Sequence, residues 1–164
     1  MNCVLWLIVS LLIASSDAVP HRFAFAQFRA ESQLQRAPAP PRLSDPRARR
    51  FRTVLREAAK DGPNFNGHYR VVSWGCGTNC IEWAVIDLAR GDVWMAPDPL
   101  ASCWFPDGAP DAKVPDWFSF RINSSLLIQH ECRSPSNRQT FDTTNYFAWK
   151  HGHPVLLGTE ALRY

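Results

Sequence analysis

Downstream of an apolar N-terminal run, apolar positions recur at helical spacing over only one stretch of this 164-residue chain. Ala48, Phe51, Val54, Leu55 and Ala58 fall at three- and four-residue steps and form one stripe; Arg49, Arg50, Arg52, Arg56 and Lys60 lie mostly off it. Ser44 or Asp45 can accept bonds from the free N–H groups at its start, Pro46 suits the first turn, and Gly62-Pro63 ends it. The pattern predicts an amphipathic helix over about 46–60.

Beyond residue 62 the pattern changes to short runs rich in Val, Ile, Tyr, Phe and Trp, bounded by turn residues. Strands are expected at His68–Trp74, Ile81–Leu88, Val93–Met95, Phe118–Ile122, Ser125–Glu131, Asn145–Lys150 and Pro154–Leu157. Arg90-Gly91-Asp92, Asn123-Ser124 and His151-Gly152-His153 mark turns between them. Residues 96–116, with five prolines, read as a long irregular loop. The fold class expected is α+β, mainly β: a curled or partly closed antiparallel sheet of six to seven short strands carrying one N-terminal helix.

The two ends of the pattern set the domain organisation. Val4 to Ala14, broken only by Ser10, is too short to span a bilayer as a helix and has the length of a signal-peptide core. Small residues allow cleavage after Ala26 or, alternatively, after Ala18. Residues 1–26 are therefore assigned to a signal peptide and 27–45 to a polar, Pro-rich linker of extended geometry. Residues 46–164 form a single disulfide-containing, β-rich domain. The expected location is periplasmic or secreted, with no transmembrane segment in the mature chain.

Charge changes this picture little. Residues 29–60 hold nine basic and three acidic side chains, whereas residues 61–164 hold eight and eleven. The basic excess fits a solvated helix face, since no basic cluster recurs in the body, and this argues against nucleic acid as a partner. An envelope protein, a peptide or a glycan is the partner class expected.

Cysteine placement carries the densest chemical signal. Trp74-Gly75-Cys76-Gly77-Thr78-Asn79-Cys80 lies between two expected strands. If those strands form a hairpin, Gly77-Thr78-Asn79 is a three-residue loop with Cys76 and Cys80 facing each other at its base, within disulfide reach. That pairing leaves Cys103 with Cys132. A zinc site would need a second close cysteine pair, and a catalytic thiolate would need a fixed base such as His68 or His130; the disulfide reading is favoured over both. No motif calls for a cofactor or a metal. A second segment, Gly62 to Tyr69, offers Asn64, Asn66 and His68 either as groove-lining polar groups or as turn and core residues. Together with Gly77, Thr78, Asn79 and the loop tryptophan Trp104, these are the candidate binding residues.

The helix running into "GPNFNGHY", then "VVSWGCGTNC" and "AVIDLARGDVW", resembles a group of small exported bacterial proteins sharing a GPNF-x-GHY … WGCGT-x-C pattern. The likeness covers roughly residues 50–95. It implies a bacterial envelope location and a shared core built on the two motifs. That group carries no assigned activity, so no catalytic residue is carried over. The function expected is a small exported envelope protein acting as a binding or accessory/inhibitor domain. The alternative is an envelope glycan or peptide hydrolase using His68 or a cysteine thiolate.

Overall fold

Alternation along the strands separates apolar faces, and in the computed structural model those faces stack into layers. The structure describes residues 22–77, 80–101, 116–131 and 143–161. The segment expected to be one helix is helical in two pieces, α1 (Pro46–Arg50) and α2 (Arg52–Lys60), divided at Phe51, whose φ of −101° and ψ of 22° leave the helical region. Asp45 caps α1 by accepting the Arg47 N–H at 2.6 Å, with Pro46 in the first turn.

Eight strands follow among the described residues, in two antiparallel sheets rather than one curled sheet. The first is the meander β1 (Tyr69–Gly77), β2 (Cys80–Asp87), β3 (Val93–Met95), with the two-residue β4 (Leu100–Ala101) pairing β2 on the edge that β3 also uses. The second runs β5 (Phe118–Phe120), β6 (Leu126–Glu131), β7 (Thr143–Lys150), β8 (His153–Ala161) in chain order. Sequence pattern specifies which residues share a face, but not where a row of strands ends and a second sheet begins.

Period-two alternation gives each sheet two buried faces. Val72, Ala84, Ile86 and Met95 pack with Ala48, Leu55, Ala58 and Ala59 of the helices. On the opposite face, Tyr69, Val71, Trp83 and Val85 meet Phe118, Leu127 and Trp149 of the second sheet, forming the central core with Phe65. The far side of the second sheet exposes Leu126, Ile128 and Tyr146 to Phe23, Phe25 and Phe28 of the N-terminal segment. The order of layers is thus helices, sheet, sheet, N-terminal segment. Among the described residues no helix is long and apolar enough to cross a membrane.

The segment 27–45, expected as a linker, is held along its length. The Leu34 N–H donates to the Gly67 carbonyl (3.2 Å), Ala39 N–H to that of Leu88 (2.8 Å) and Arg42 N–H to that of Gly91 (2.7 Å). It is a strap running from the outer face of one sheet to the helices on the other. Its prolines suit this path, because extended chain with few free N–H groups can lie on a surface without a ladder of its own.

Candidate functional site

Between the end of β3 at Met95 and the start of β4 at Leu100 the chain leaves the edge of β2, and a cleft opens there. The Ala96 N–H makes a last bond to the Trp83 carbonyl (3.2 Å). Pro97 and Pro99 have no N–H to continue the ladder, so residues 96–99 bow outward before β4 rejoins β2. The bow is anchored from behind. Arg47 of α1 donates through Nη1 to the carbonyls of Ala96 (2.7 Å) and Pro97 (2.8 Å), and through Nη2 to Glu82 Oε2 (2.6 Å).

The resulting cavity, about 270 Å³, lies between the inner faces of the two sheets. Trp83 and Trp94 form one wall, their rings 4.9 Å apart and inclined at 61°. The facing wall is polar: Gln129 and Glu131 project from β6 and Asn145 from β7. Alternation puts these three on the same face as Leu127 and Phe147, and Gln129 pairs in register with Asn145. Asn145 is fixed at both ends, donating through Nδ2 to Glu131 Oε1 (2.7 Å) and accepting at Oδ1 from the Thr159 hydroxyl (2.8 Å). Gln129 is only 5% exposed. No side-chain hydrogen bond from its carboxamide is found among the described residues, and its polar atoms are not among the buried unpartnered ones, so the amide is open to the cleft.

A second cavity of about 230 Å³ lies on the other side of Trp94, lined by Tyr69, Asp87, Arg90, Asp92, Trp149 and the His151–His153 turn. Its charges are mutually satisfied. Asp87 Oδ1 accepts the N–H groups of Ala89 (2.9 Å) and Arg90 (3.1 Å), and Oδ2 pairs with Arg90 Nε at 2.9 Å. The Asp87 carboxylate raises the Arg90 pKa further above its ordinary value. The Tyr69 phenol is likewise raised, by burial first and then by the Glu31 and Asp87 charges.

The polar residues of the Gly62–Tyr69 segment bond to β1 and to the strap. Asn64 clamps β1, accepting the Val71 N–H at Oδ1 (2.8 Å) and donating from Nδ2 to the Val71 carbonyl (3.0 Å). Asn66, fully buried at φ 44°, accepts the Glu31 N–H (2.8 Å). His68 Nδ1 donates to the Ser32 carbonyl (2.8 Å), which places the proton on that nitrogen, and Nε2 faces Glu31 and Asp87, each 3.7 Å away. Gly67 is required by the strap: at φ 81° a Cβ there would lie 2.5 Å from the Glu31 carbonyl oxygen and 2.7 Å from that of Ser32.

Cys76 and Cys80 are disulfide-bonded, with Cα atoms 5.1 Å apart. The geometry differs in one respect from the hairpin expected. Gly77, not Cys76, pairs with Cys80, and Cys76 is the extra residue of a β-bulge between Gly75 and Gly77. Thr78, Asn79, Cys103, Trp104 and Cys132 lie outside the described residues. No group of three or more His, Cys, Asp or Glu side chains able to hold a metal occurs among the described residues.

The structure thus brings Asn64, Asn66 and His68 together under the strap and sets Gly77 apart at the hairpin tip. The cleft residues Trp83, Trp94, Gln129, Glu131 and Asn145 were not singled out from sequence. The available signal was in β6, where Leu127, Gln129 and Glu131 turn one strand face from apolar to polar. Compared with known protein families, curated proteins and solved structures, the chain shows no significant match to any of them.

Proposed function

We propose that this is a small exported envelope protein, periplasmic or secreted, acting as a binding or accessory domain whose ligand enters the cleft between the two sheets. The observation that carries this reading is the Gln129 carboxamide, which lines a cavity of about 270 Å³ beside Trp83 and Trp94, makes no side-chain hydrogen bond among the described residues and is open to the cleft. A carboxamide facing an open cleft with no side-chain partner among the described residues is free to bond a ligand hydroxyl. An apolar wall with a few convergent polar groups is the common build of ligand sites. The apolar run at Val4–Ala14 and the Cys76–Cys80 bridge support an oxidising compartment outside the cytoplasm.

The hydrolase reading has less support. His68 is committed through Nδ1 to the strap, and no serine, threonine or cysteine is hydrogen-bonded to it among the described residues. Cys76 and Cys80 supply no thiolate while bridged.

The test is to titrate the isotope-labelled mature protein with separated glycan, peptide and protein fractions of a bacterial envelope, following amide and indole NMR signals. The expected result is saturable shifts centred on Trp83, Trp94, Gln129 and Asn145 with one fraction. Shifts confined to the Cys76–Cys80 tip, or none, would overturn the assignment of the cleft.

A further inference from the structure

Resting on the cleft as the ligand site, we propose that its ligand is a neutral saccharide, one ring of which seats between Trp94 and the Gln129–Asn145 wall. The argument is one of complementarity. Gln129 presents two N–H donors and a carbonyl acceptor, so its partner must both accept and donate. A hydroxyl does both, whereas an ammonium or guanidinium only donates and would leave the Gln129 N–H groups unpaired. A purely apolar ligand would leave the whole amide unpaired. Anions are disfavoured because Asp98 and Glu131 line the cleft and no Lys, Arg or His is found among its described lining residues.

Shape points the same way. The half-buried Trp94 indole, backed by the buried Trp83 ring, offers flat apolar area with little conformational freedom to lose, suited to the C–H face of a sugar ring. The size, about 270 Å³, falls just under the roughly 300–1,000 Å³ of drug-sized sites, so one ring fits better than a long segment. An extended peptide is held chiefly by main-chain pairing at an open strand edge. Here the polar wall is instead a sheet face: the Gln129 and Asn145 backbones belong to the β6–β7 ladder, and only side chains reach the cleft.

The proposal predicts an unusual pairing of effects. Replacing Gln129 by Leu breaks no hydrogen bond found among the described residues, so the free protein should melt at a near-unchanged temperature while sugar binding falls. A glutamine with a structural role would instead lower the melting temperature when replaced.

The experiment uses the oxidised mature chain, wild type and Gln129→Leu, with Gln129→Met and Trp94→Phe as second variants should the first fail to fold. Each is titrated by NMR and tryptophan fluorescence with N-acetylglucosamine tetramer, glucose tetramer, spermidine and tetra-alanine, and each is melted without ligand. At least one sugar tetramer is expected to shift the Gln129 and Trp94 signals saturably, with binding weakened roughly tenfold or more by Gln129→Leu at undiminished melting temperature. Shifts by spermidine or tetra-alanine alone would overturn the saccharide and leave the cleft a binding site. If neither sugar moves these signals and the whole envelope extract does not either, saccharide and cleft fall together.

Discussion

At the residue scale, identity and role part company most clearly in the Gly62–Tyr69 segment. Asn64, Asn66 and His68 have the chemistry of a polar groove, yet their shortest bonds go to backbone groups of β1 and of the strap, with the Glu31 and Asp87 carboxylates beside Asn66 and His68. Asn66 and Glu31 are 35 positions apart, so nothing local in the sequence separates a ligand-binding asparagine from a strap-binding one. Two tyrosines carry a testable consequence of burial. The Tyr146 phenol is pushed up to about 12, by burial first and then by donating to Glu160 Oε2 at 2.8 Å, and Tyr69 is raised as well. The unfolded chain releases these protons near the ordinary value of 10.0, while the folded chain keeps them. Above that pH the unfolded state therefore binds fewer protons, and stability falls as pH rises. The contribution is present in full below pH 10.0 and is lost as pH climbs toward about 12. Melting temperature followed across this range should drop. A Tyr146→Phe variant should lose part of that dependence, and an absorbance titration should show delayed phenolate formation at two of the chain's three tyrosines.

At the element scale, the cysteine hairpin shows what a bulge adds to a tight turn. Because Cys76 is the extra residue, Gly77 takes the last ladder position opposite Cys80, and its φ of 140° is one a side chain rarely adopts. The bridge closes a loop of only five residues, for which chain entropy gives about 2 kcal/mol. The double variant Cys76→Ala/Cys80→Ala should therefore unfold at lower denaturant, by about that amount, with an unchanged slope. A loss well beyond it would mean that the bridge holds more than its own hairpin. Most strands were legible because runs such as Leu-Leu-Ile at 126–128 and Val-Trp-Met at 93–95 sit between clear turns. Two features were not. The break between sheets follows from long-range pairing, which alternation does not encode, and β4 is two residues inside a Pro-rich stretch. The cleft was hidden for a related reason. Trp83 and Trp94 read as core, and Gln129 lies in a run whose neighbours Leu127 and Ile128 are fully buried. Only the outward bow of residues 96–99, pinned by Arg47, turns that core wall into the wall of a cleft.

At the scale of the whole molecule, the N-terminal segment decides how many faces are covered, and so bears on where the proposed leader would end. Phe23 lies 5.2 Å from the Tyr146 ring and 6.0 Å from Phe28, edge to face, over Leu126 and Ile128. The Phe25 carbonyl accepts the Ser124 hydroxyl at 2.9 Å, and Arg121 sits 4.5 Å above the Phe25 ring. Cleavage after Ala26 would remove Phe23 and Phe25 and open the outer face of the second sheet, whereas cleavage after Ala18 keeps both. Each phenylalanine is only half-buried, so together they should contribute about 2–4 kcal/mol. A chain beginning at residue 19 should accordingly be more stable than one beginning at Gln27 by that margin. The shorter chain should also bind an apolar dye that the longer one does not, because an uncovered Leu126–Ile128–Tyr146 face is a contiguous apolar patch. If the proposed export holds, intact mass of the processed protein is expected to place its first residue upstream of Arg22. A mature chain starting at Gln27, as stable as the longer one, would mean that the strap begins to matter only at Phe28 and that the outer face of the second sheet is covered by something other than this segment.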